Sequence, residues 1–241
     1  MKSLFLMFVV LISIGALAEQ NASKTSNGKG SLQSELDAKK ASGKAPDDIK
    51  SIMSTATETL RKSGIVDKAV KKGDQMLDFT LPNARGGDLK LSEALKKGPV
   101  ILTFYRGGWC PYCNLQLRAY QKRLEDFRKA GATLIAVSPE SSDSGDTTID
   151  KNELKFDVLS DAGNKIARQY GLVFKLPQDL IGIYKKFGID LEKNQNNGEW
   201  ELPIPATYVI APDGKIVYSF LNVDYVKRAE PEDIIAVLKS I

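Results

Sequence analysis

Histidine is absent from the 241-residue sequence, and cysteine occurs only twice. Without histidine, the chain has no Ser-His-Asp triad, no Cys-His nucleophile pair and no metal site with an imidazole ligand. Two cysteines are also too few for a tetrahedral thiolate zinc site within one chain. We therefore predict no metal and no other cofactor. Cys110 and Cys113 are left with redox chemistry or a structural disulfide.

Long apolar runs are scarce as well. Leu4 to Leu17 is one such run, and it is too short to cross a bilayer. It follows Lys2 and ends in Ala16-Leu17-Ala18, a small-x-small pattern that signal peptidases recognise. These features predict a signal peptide over residues 1–18, with an uncleaved N-terminal anchor as the alternative. We expect an exported protein, periplasmic or secreted, with no integral membrane segment after removal of the signal.

The sequence also lacks a large excess of charge of one sign. The net charge is +4, and acidic and basic residues are mixed along the chain. No basic stripe with interleaved aromatic residues is present, so nucleic acid is not an expected partner.

The chain beyond the signal, about 220 residues, suits one domain with extra segments at its N-terminus. Residues 19–45 are rich in Ser, Lys, Gly and Asn and predict a flexible linker. Within residues 46–72, apolar residues at helical spacing from Asp47 to Lys62 predict a helical extension. The main domain is expected over residues 73–241.

The main domain has the pattern of an α/β fold. Val100 to Tyr105 is apolar at nearly every position and predicts a buried strand. A helical pattern and a second apolar strand, Thr133 to Val137, follow it, which predicts a βαβ unit with parallel strands. Hairpins are predicted around Gly86-Gly87 and Pro212-Asp213-Gly214. Residues 172–203 match no regular element and are interpreted as an insertion near the site.

The motif Trp109-Cys110-Pro111-Tyr112-Cys113 begins directly after the predicted strand and opens the helix. Both thiols then lie in the first turn, where free backbone N–H groups and the helix dipole favour a thiolate. Arg106 on the preceding loop adds a positive charge. A structural disulfide is the alternative, but closing so short a loop removes only about 2 kcal/mol of unfolded-state entropy, against about 5 for a hundred-residue loop. We therefore favour a redox-active pair.

A second segment, Ile204-Pro205-Ala206-Thr207, precedes a predicted strand. A cis peptide at Pro205 would turn the chain tightly and present backbone beside the cysteines, and we predict that isomer over an ordinary trans proline. Thr207 is a candidate for a hydrogen bond near the sulfurs, with a plain strand threonine as the alternative. Trp109 is a candidate to shield the disulfide, with simple core burial as the alternative.

Together these segments resemble the peroxiredoxin-like branch of the alkyl hydroperoxide reductase C / thiol-specific antioxidant (AhpC/TSA) family, within the thioredoxin-fold superfamily. The resemblance implies a thioredoxin-like α/β fold, with a central mixed β-sheet flanked by helices and, here, an N-terminal helical extension. It covers roughly residues 73–241 and rests on four segments: Gly73-Asp74 with Asp78-Phe79-Thr80-Leu81, Phe104 to Cys113, Pro205 to Ile210, and Pro212-Asp213-Gly214-Lys215.

The site departs from the family pattern at three positions, two of them within the motif Pro-x-x-x-Thr-x-x-Cys. Cys113 matches the peroxidatic cysteine of the family, but Cys110 stands at the Thr position and Arg106 at the Pro position. The arginine that orients the peroxide in the family falls near Pro205 and is missing here. Arg106 is the candidate to replace its charge.

Two reactions use the cysteine pair in opposite orders. As a peroxidase, Cys113 attacks a peroxide, Cys110 resolves the sulfenic acid, and an external thioredoxin-like thiol reductant reopens the disulfide. As a thiol-disulfide oxidoreductase, Cys110 attacks a protein disulfide and Cys113 resolves it, with Pro205 shaping the groove. We favour the peroxiredoxin-like antioxidant activity on the resemblance. A third hypothesis is a binding module that keeps the fold without turnover.

Overall fold

The structure is a computed structural model that describes residues 30–195 and 198–241. The signal peptide predicted over residues 1–18 lies outside the described residues. The helices are α1 (Leu32–Ala41), α2 (Asp47–Lys62), α3 (Ile65–Lys68), α4 (Leu91–Leu95), α5 (Pro111–Lys122), α6 (Leu124–Lys129), α7 (Ser142–Asn152), α8 (Lys165–Gln169), α9 (Gln178–Lys186), α10 (Leu191–Gln195) and α11 (Pro231–Leu238). The strands are β1 (Thr80–Pro82), β2 (Asp88–Lys90), β3 (Val100–Phe104), β4 (Thr133–Ser138), β5 (Asp157–Ser160), β6 (Val173–Lys175), β7 (Glu201–Pro203), β8 (Ala206–Ile210) and β9 (Ile216–Leu221).

Five strands form a central mixed sheet in the order β5-β4-β3-β8-β9. Strand β4 is parallel to β3 and β5, whereas β8 is antiparallel to β3 and β9. These pairings confirm the predicted βαβ unit and the predicted hairpin at Pro212-Asp213-Gly214. In the β3–β8 register, Phe104 lies opposite Ala206. The end of β3 that leads into the cysteine motif therefore lies beside Pro205, which precedes β8.

Both faces of the sheet are buried because the central strands carry apolar side chains on both faces. Successive side chains of a strand point to opposite faces. On β3, Leu102 and Phe104 pack in one core cluster with Tyr208, whereas Ile101 packs in a second cluster with Val209. Helices α5, α6 and α11 contribute side chains to the second cluster. The predicted fold class, a central mixed sheet flanked by helices, is confirmed.

The prediction of a flexible linker over residues 19–45 is wrong for residues 32–41, which form α1. Leu32 and Leu36 are buried in the second core cluster. The carboxylate of Glu230 accepts hydrogen bonds from the backbone N–H groups of Leu32 at 3.0 Å and Gln33 at 2.7 Å. The segment has the composition of a linker, but the surface beneath it supplies apolar burial and Glu230 supplies a charged cap for the helix N-terminus.

The prediction that residues 172–203 lack regular structure is also wrong. Strands β6 and β7 pair antiparallel, with Val173 opposite Pro203, and α9 and α10 lie between them in sequence. Side chains of this segment form a core cluster of their own, which includes Leu180, Tyr184 and Trp200. Helix α9 has apolar residues at helical spacing, Leu180, Ile181, Ile183 and Tyr184, whereas the strands and α10 are too short to leave a periodic pattern.

Helix α2 spans the residues predicted for the helical extension, Asp47–Lys62. It packs against α9, where Met53 and Ala56 contact the cluster that contains Leu180 and Tyr184. Among the described residues, no helix has both the length and the apolar character needed to cross a bilayer. The limits predicted for the main domain stay a prediction.

Candidate active site

Cys110 and Cys113 lie at the start of α5, directly after the loop that follows β3. Cys110 is the N-cap, and Pro111 is the first helical residue, where its missing N–H costs no hydrogen bond. Both cysteines are free thiols, and both are fully buried. The two side chains pack in one core cluster, and each thiol shifts the pKa of the other. The two sulfurs therefore lie close enough to interact.

The loop between β3 and α5 is held in place by Glu140, which follows β4. The Glu140 carboxylate accepts a hydrogen bond from the backbone N–H of Gly108 at 2.9 Å. A Cβ at Gly108 would collide with Thr148, and a Cβ at Gly107 would collide with Trp109. Gly107 also has a φ of 142°, which disfavours other residues. The two glycines let the loop pack closely against α7 and Glu140.

Glu140 is a buried carboxyl group whose pKa is raised to about 7. Burial is the main cause, and the hydrogen bonds from Gly108 and Thr148 oppose it. Near neutral pH the group is therefore about half protonated. The loop that carries the cysteine motif thus rests on a carboxyl group that titrates in the physiological range.

Arg106 places a guanidinium group against Cys110. Its Nη2 donates a hydrogen bond to Cys110 Sγ at 3.3 Å, and its Nη1 donates to Tyr184 Oη at 3.2 Å. The guanidinium carbon lies 4.1 Å from the ring centroid of Tyr225 and 5.1 Å from that of Trp109. Arg106 Nε has no hydrogen-bond partner among the described residues.

Arg228, in the loop before α11, places a second guanidinium group against Cys113. Its Nη2 donates to Cys113 Sγ at 3.5 Å, its Nη1 to Gln116 Oε1 at 2.7 Å and its Nε to the carbonyl of Tyr225 at 2.9 Å. Over residues 30–195 and 198–241, Arg106 and Arg228 are the only buried lysine or arginine side chains. Neither forms an ion pair with a carboxylate in these ranges, so the thiols are the groups available to neutralise them.

The two thiols differ in pKa because each interacts differently with the two guanidinium charges and with the other thiol. Burial raises the pKa of Cys110, but the hydrogen bond from Cys113 and the charges of Arg106 and Arg228 outweigh it and leave the pKa well below its ordinary value. Burial, the hydrogen bond to Cys110 and the negative charge there hold the pKa of Cys113 well above its ordinary value, although Arg228 opposes this. The resting pair is therefore a Cys110 thiolate and a Cys113 thiol.

A buried polar network extends from Arg228 into the sheet. Gln116 Nε2 donates to Tyr120 Oη at 3.0 Å and to the hydroxyls of Thr103 and Thr207 at 3.3 Å each. The two threonine hydroxyls bond each other across β3 and β8 at 3.0 Å. Thr207 therefore reaches the sulfurs only through Gln116 and Arg228.

A cavity of about 170 Å³ lies beside Arg106 and is bounded by α2, α9 and the residues before β8. Pro205, Tyr184 and Tyr225 form part of its wall.

The predicted cis peptide at Pro205 is wrong, since no cis peptide bond occurs among the described residues. The proline lies just before the β8 ladder begins, where an extended trans chain suffices. A larger groove of about 890 Å³ between α6, α7 and β5 includes neither cysteine.

Trp109 is partly buried between two clusters. It packs against the core cluster that contains both cysteines and against the cluster of α9. Its ring centroid lies 5.6 Å from that of Tyr184, with the rings at 61°. The side chain therefore packs beside the cluster that contains the cysteines, and its role in shielding a disulfide stays a prediction.

The structure brings the predicted residues Arg106, Trp109, Cys110 and Cys113 into one cluster, with Pro205 on the cavity wall. Sequence reasoning missed three further members of the site. Arg228 is 115 positions from Cys113, and Glu140 and Tyr184 lie in other segments. A single charged or aromatic residue in a distant segment forms no motif, so no signal in one sequence identifies it.

A mixed sheet that carries a Cys-x-x-Cys pair at a helix start, with a guanidinium group on each sulfur, defines a thiol-redox site. Residues 72–219 match the AhpC/TSA family, to which this chain belongs. The resemblance identified from the sequence motifs is thereby confirmed.

Known proteins similar to this chain include peroxiredoxins. Chloroplastic peroxiredoxin Q of Sedum lineare is 38% identical over 123 residues, which cover 51% of this chain and 63% of that protein. Chloroplastic peroxiredoxin Q of Triticum aestivum is 32% identical over 160 residues, 66% of this chain and 63% of that protein. The chain thus spans a little under two thirds of the length of these curated relatives. The crystal structure of peroxidoxin BcpB from Mycobacterium tuberculosis superposes with a TM-score of 0.57 at 23% identity, over 71% of this chain and 98% of that one, which shows the shared thioredoxin-like fold.

Removal of the Arg106 charge should make Cys110 less acidic. In a Cys113→Ser background, Arg106→Met is expected to slow alkylation of Cys110 by iodoacetamide near pH 6 by about tenfold or more, because a thiolate loses its nearest opposite charge. The pH dependence of the alkylation rate measures this. Arg118→Met is the matched control, since Arg118 is an exposed residue of α5, the helix that begins at the cysteine motif, and it donates to Asn152 instead. Equal rates for both variants would contradict the assignment of Arg106.

The buried Glu140 should make the stability of the protein depend on pH. Its pKa is raised from 4.5 to about 7, so its stabilising contribution is complete below about pH 4.5 and is lost as the pH rises through about 7. The free energy of unfolding of wild type, minus that of Glu140→Gln, should therefore fall by about 3 kcal/mol between about pH 4 and pH 8. Urea unfolding across this range measures the difference. A pH-independent difference would show that Glu140 titrates normally.

Proposed function

We propose that this protein is a thiol-dependent peroxidase that reduces peroxides through the Cys110/Cys113 pair and is then reduced by an external thiol. The observation that carries the proposal is the contact between the buried Arg106 guanidinium and Cys110 Sγ at 3.3 Å, with the Cys113 thiol beside them. A thiolate is the nucleophile in reactions of this kind, and a buried cation is what keeps a thiol ionised inside a protein. Membership of the AhpC/TSA family supports the same reaction.

Cys110 is the better candidate for the attacking sulfur, although Cys113 occupies the position of the peroxidatic cysteine in the family motif. Cys110 is the N-cap of α5, where the helix dipole favours negative charge. Its partner Arg106 also lines the cavity, whereas Cys113 packs against Arg228 on the side of the buried polar network. The more acidic sulfur is therefore the one whose arginine partner lines the cavity.

The first step oxidises Cys110. Its thiolate attacks one oxygen of the peroxide, the O–O bond breaks, and the leaving oxygen takes up a proton to give an alcohol or water. Cys110 is left as a sulfenic acid. The Arg106 guanidinium group bonds the thiolate through Nη2, and its Nε–H has no protein partner among the described residues. This Nε–H can donate to a peroxide oxygen. Arg106 thereby supplies the charge of the missing family arginine.

The second step closes the disulfide, and a third step reopens it. Cys113 displaces hydroxide from the Cys110 sulfenic acid, and the new S–S bond stores the two oxidising equivalents of the peroxide. A thioredoxin-like dithiol then reduces the disulfide and becomes oxidised itself. The contact between the two sulfurs supports a short, intramolecular cycle of this kind.

Thiol-disulfide exchange is the second candidate function. The observation that favours it is the distribution of acidity within the pair, since the low pKa belongs to Cys110 and the high pKa to Cys113. In that reaction Cys110 attacks a protein disulfide and Cys113 releases the product. The two functions therefore use the sulfurs in the same order and differ in the oxidant.

Peroxide should convert the reduced protein to an intramolecular disulfide. We expect hydrogen peroxide to react with wild type at least about tenfold faster than with free cysteine near pH 6, where an ordinary thiol is almost wholly protonated. Cys113→Ser should stop at a sulfenic acid on Cys110, and Cys110→Ser should react slowly. Stopped-flow kinetics combined with dimedone trapping and mass spectrometry measures both.

The Cys110→Ser/Cys113→Ser double variant is the control for chemistry elsewhere in the chain. Thiols that react no faster than free cysteine, in a protein that reduces insulin disulfides, would select thiol-disulfide exchange over the peroxidase. A sulfenic acid that forms first on Cys113 would reverse the order of the sulfurs. Unchanged biological function of the double variant would favour a binding module without turnover.

We also propose that the protein acts outside the cytosol, in a periplasm or in the extracellular medium. The support is the apolar run from Leu4 to Leu17 and the Ala16-Leu17-Ala18 pattern. Expression of the full chain in a bacterium, followed by fractionation and N-terminal sequencing, should give a protein that begins at Glu19 in the periplasmic or medium fraction. A cytosolic protein that retains Met1 would contradict export.

A further inference from the structure

Arg228 is a buried cation that hydrogen-bonds to no anion in the resting pair, although its charge also acts on the Cys110 thiolate. Its acceptors among the described residues are the side-chain oxygen of Gln116, the carbonyl of Tyr225 and the Cys113 sulfur, which is a protonated thiol in that state. A guanidinium group cannot lose its charge in a protein, and a buried cation is costly without an anion beside it. The side chain is therefore prepared for a negative charge that appears only during the reaction.

The charge distribution in the pair reverses when Cys110 is oxidised. The negative charge on Cys110 is one of the causes that keep Cys113 protonated, and a sulfenic acid no longer carries it. Arg228 then becomes the charged group in direct contact with Cys113, at 3.5 Å from its sulfur. Burial still opposes ionisation of Cys113, so the attraction of Arg228, with a smaller contribution from Arg106, decides whether this sulfur becomes a nucleophile.

We propose that Arg228 is a catalytic residue that stabilises the Cys113 thiolate while this sulfur closes the disulfide. The inference rests on the proposed function. In this step the Cys113 thiolate attacks the Cys110 sulfur, the S–S bond forms and the S–O bond breaks. The hydroxide that leaves takes up the proton released by Cys113 and becomes water, so atoms and charge balance.

The same contact serves the reductive step in the opposite direction. A thiolate of the external dithiol attacks Cys110, and the S–S bond breaks with its electron pair on Cys113. A disulfide opens faster when its leaving sulfur is a stable thiolate. Arg228 stabilises that leaving group, so one side chain assists both the formation and the cleavage of the bond.

The surroundings of Arg228 hold its guanidinium group in a fixed orientation. Nη1 is held by Gln116 and Nε by the Tyr225 carbonyl, which leaves Nη2 directed at the sulfur. Gln116 is itself held by the hydroxyls of Thr103 and Thr207. Lysine retains the charge but lacks the planar fork that makes these three contacts at once. Arg228→Lys should therefore rescue the charge only in part.

The test compares the two chemical steps in wild type and Arg228→Met. Closure of the disulfide after a pulse of hydrogen peroxide is expected to slow by about tenfold to a hundredfold near neutral pH. Sulfenic acid formation on Cys110, compared between Cys113→Ser and Cys113→Ser/Arg228→Met, should slow by a smaller factor than disulfide closure does, because Arg106 contacts Cys110 directly and Arg228 does not. Arg228→Lys should lie between wild type and Arg228→Met, and Arg118→Met should close the disulfide like wild type.

A direct titration separates a catalytic role from a structural one. In the Cys110→Ser background, ultraviolet absorbance of the thiolate follows ionisation of Cys113, and Arg228→Met should move that ionisation to higher pH. A variant that only loosened the fold would expose the sulfur and move its ionisation towards that of free cysteine. Disulfide closure at the wild-type rate, or an unchanged titration of Cys113, would overturn the proposal. Wild-type protein that is inert towards peroxide would instead overturn the proposed function, and this step with it.

Discussion

The site depends on two positive charges that lie in the protein interior, beside sulfur atoms, and that form no ion pair with a carboxylate in the part of the chain that the structure describes. A guanidinium group keeps its charge inside a protein, so the fold has to accommodate both Arg106 and Arg228 whatever the redox state. The aromatic rings of Trp109 and Tyr225 and the neutral oxygens of Gln116 and Tyr184 solvate them in part. The cysteine pair supplies the negative charge that these groups lack. The acidity of the thiols is thus a consequence of how the core is built.

The sheet is what brings these charges to the sulfurs. The loop after β3 carries Arg106 and the cysteine motif, and β8 pairs with β3. The loop after β9 carries Tyr225 and Arg228 and lies at the same end of the sheet as the loop after β3. Thr103 and Thr207, paired across β3 and β8, tie the arginine network to the strands through Gln116. Arg106 and Arg228 lie in the loops that follow β3 and β9, so the strands fix the points from which both loops begin.

Much of the fold follows from local patterns, and so does half of the site. The apolar run of β3, the glycine-containing turn before β9 and the proline at the first position of α5 each determine an element on their own. Arg106, Cys110 and Cys113 fall within eight residues, so one motif identifies them. Arg228 and Glu140 reach the cysteine motif only through the topology of the sheet. Helix α1 forms only because its apolar side chains pack on the second core cluster and its N-terminus bonds to the Glu230 carboxylate. Such contacts leave no periodicity and no motif in the sequence.

Helix α1 has a consequence beyond its own burial. Its first backbone N–H groups bond to Glu230, Gln33 bonds to the carbonyl of Val226, and Lys227 pairs with Asp37 at 3.6 Å. Helix α1 therefore holds residues 226–230, the segment that contains Arg228, in place. Both α1 and this segment lie outside residues 72–219, the part that matches the family. Helix α1 meets the segment before α11, so the position of an arginine that contacts Cys113 depends on a helix almost two hundred positions earlier in the sequence.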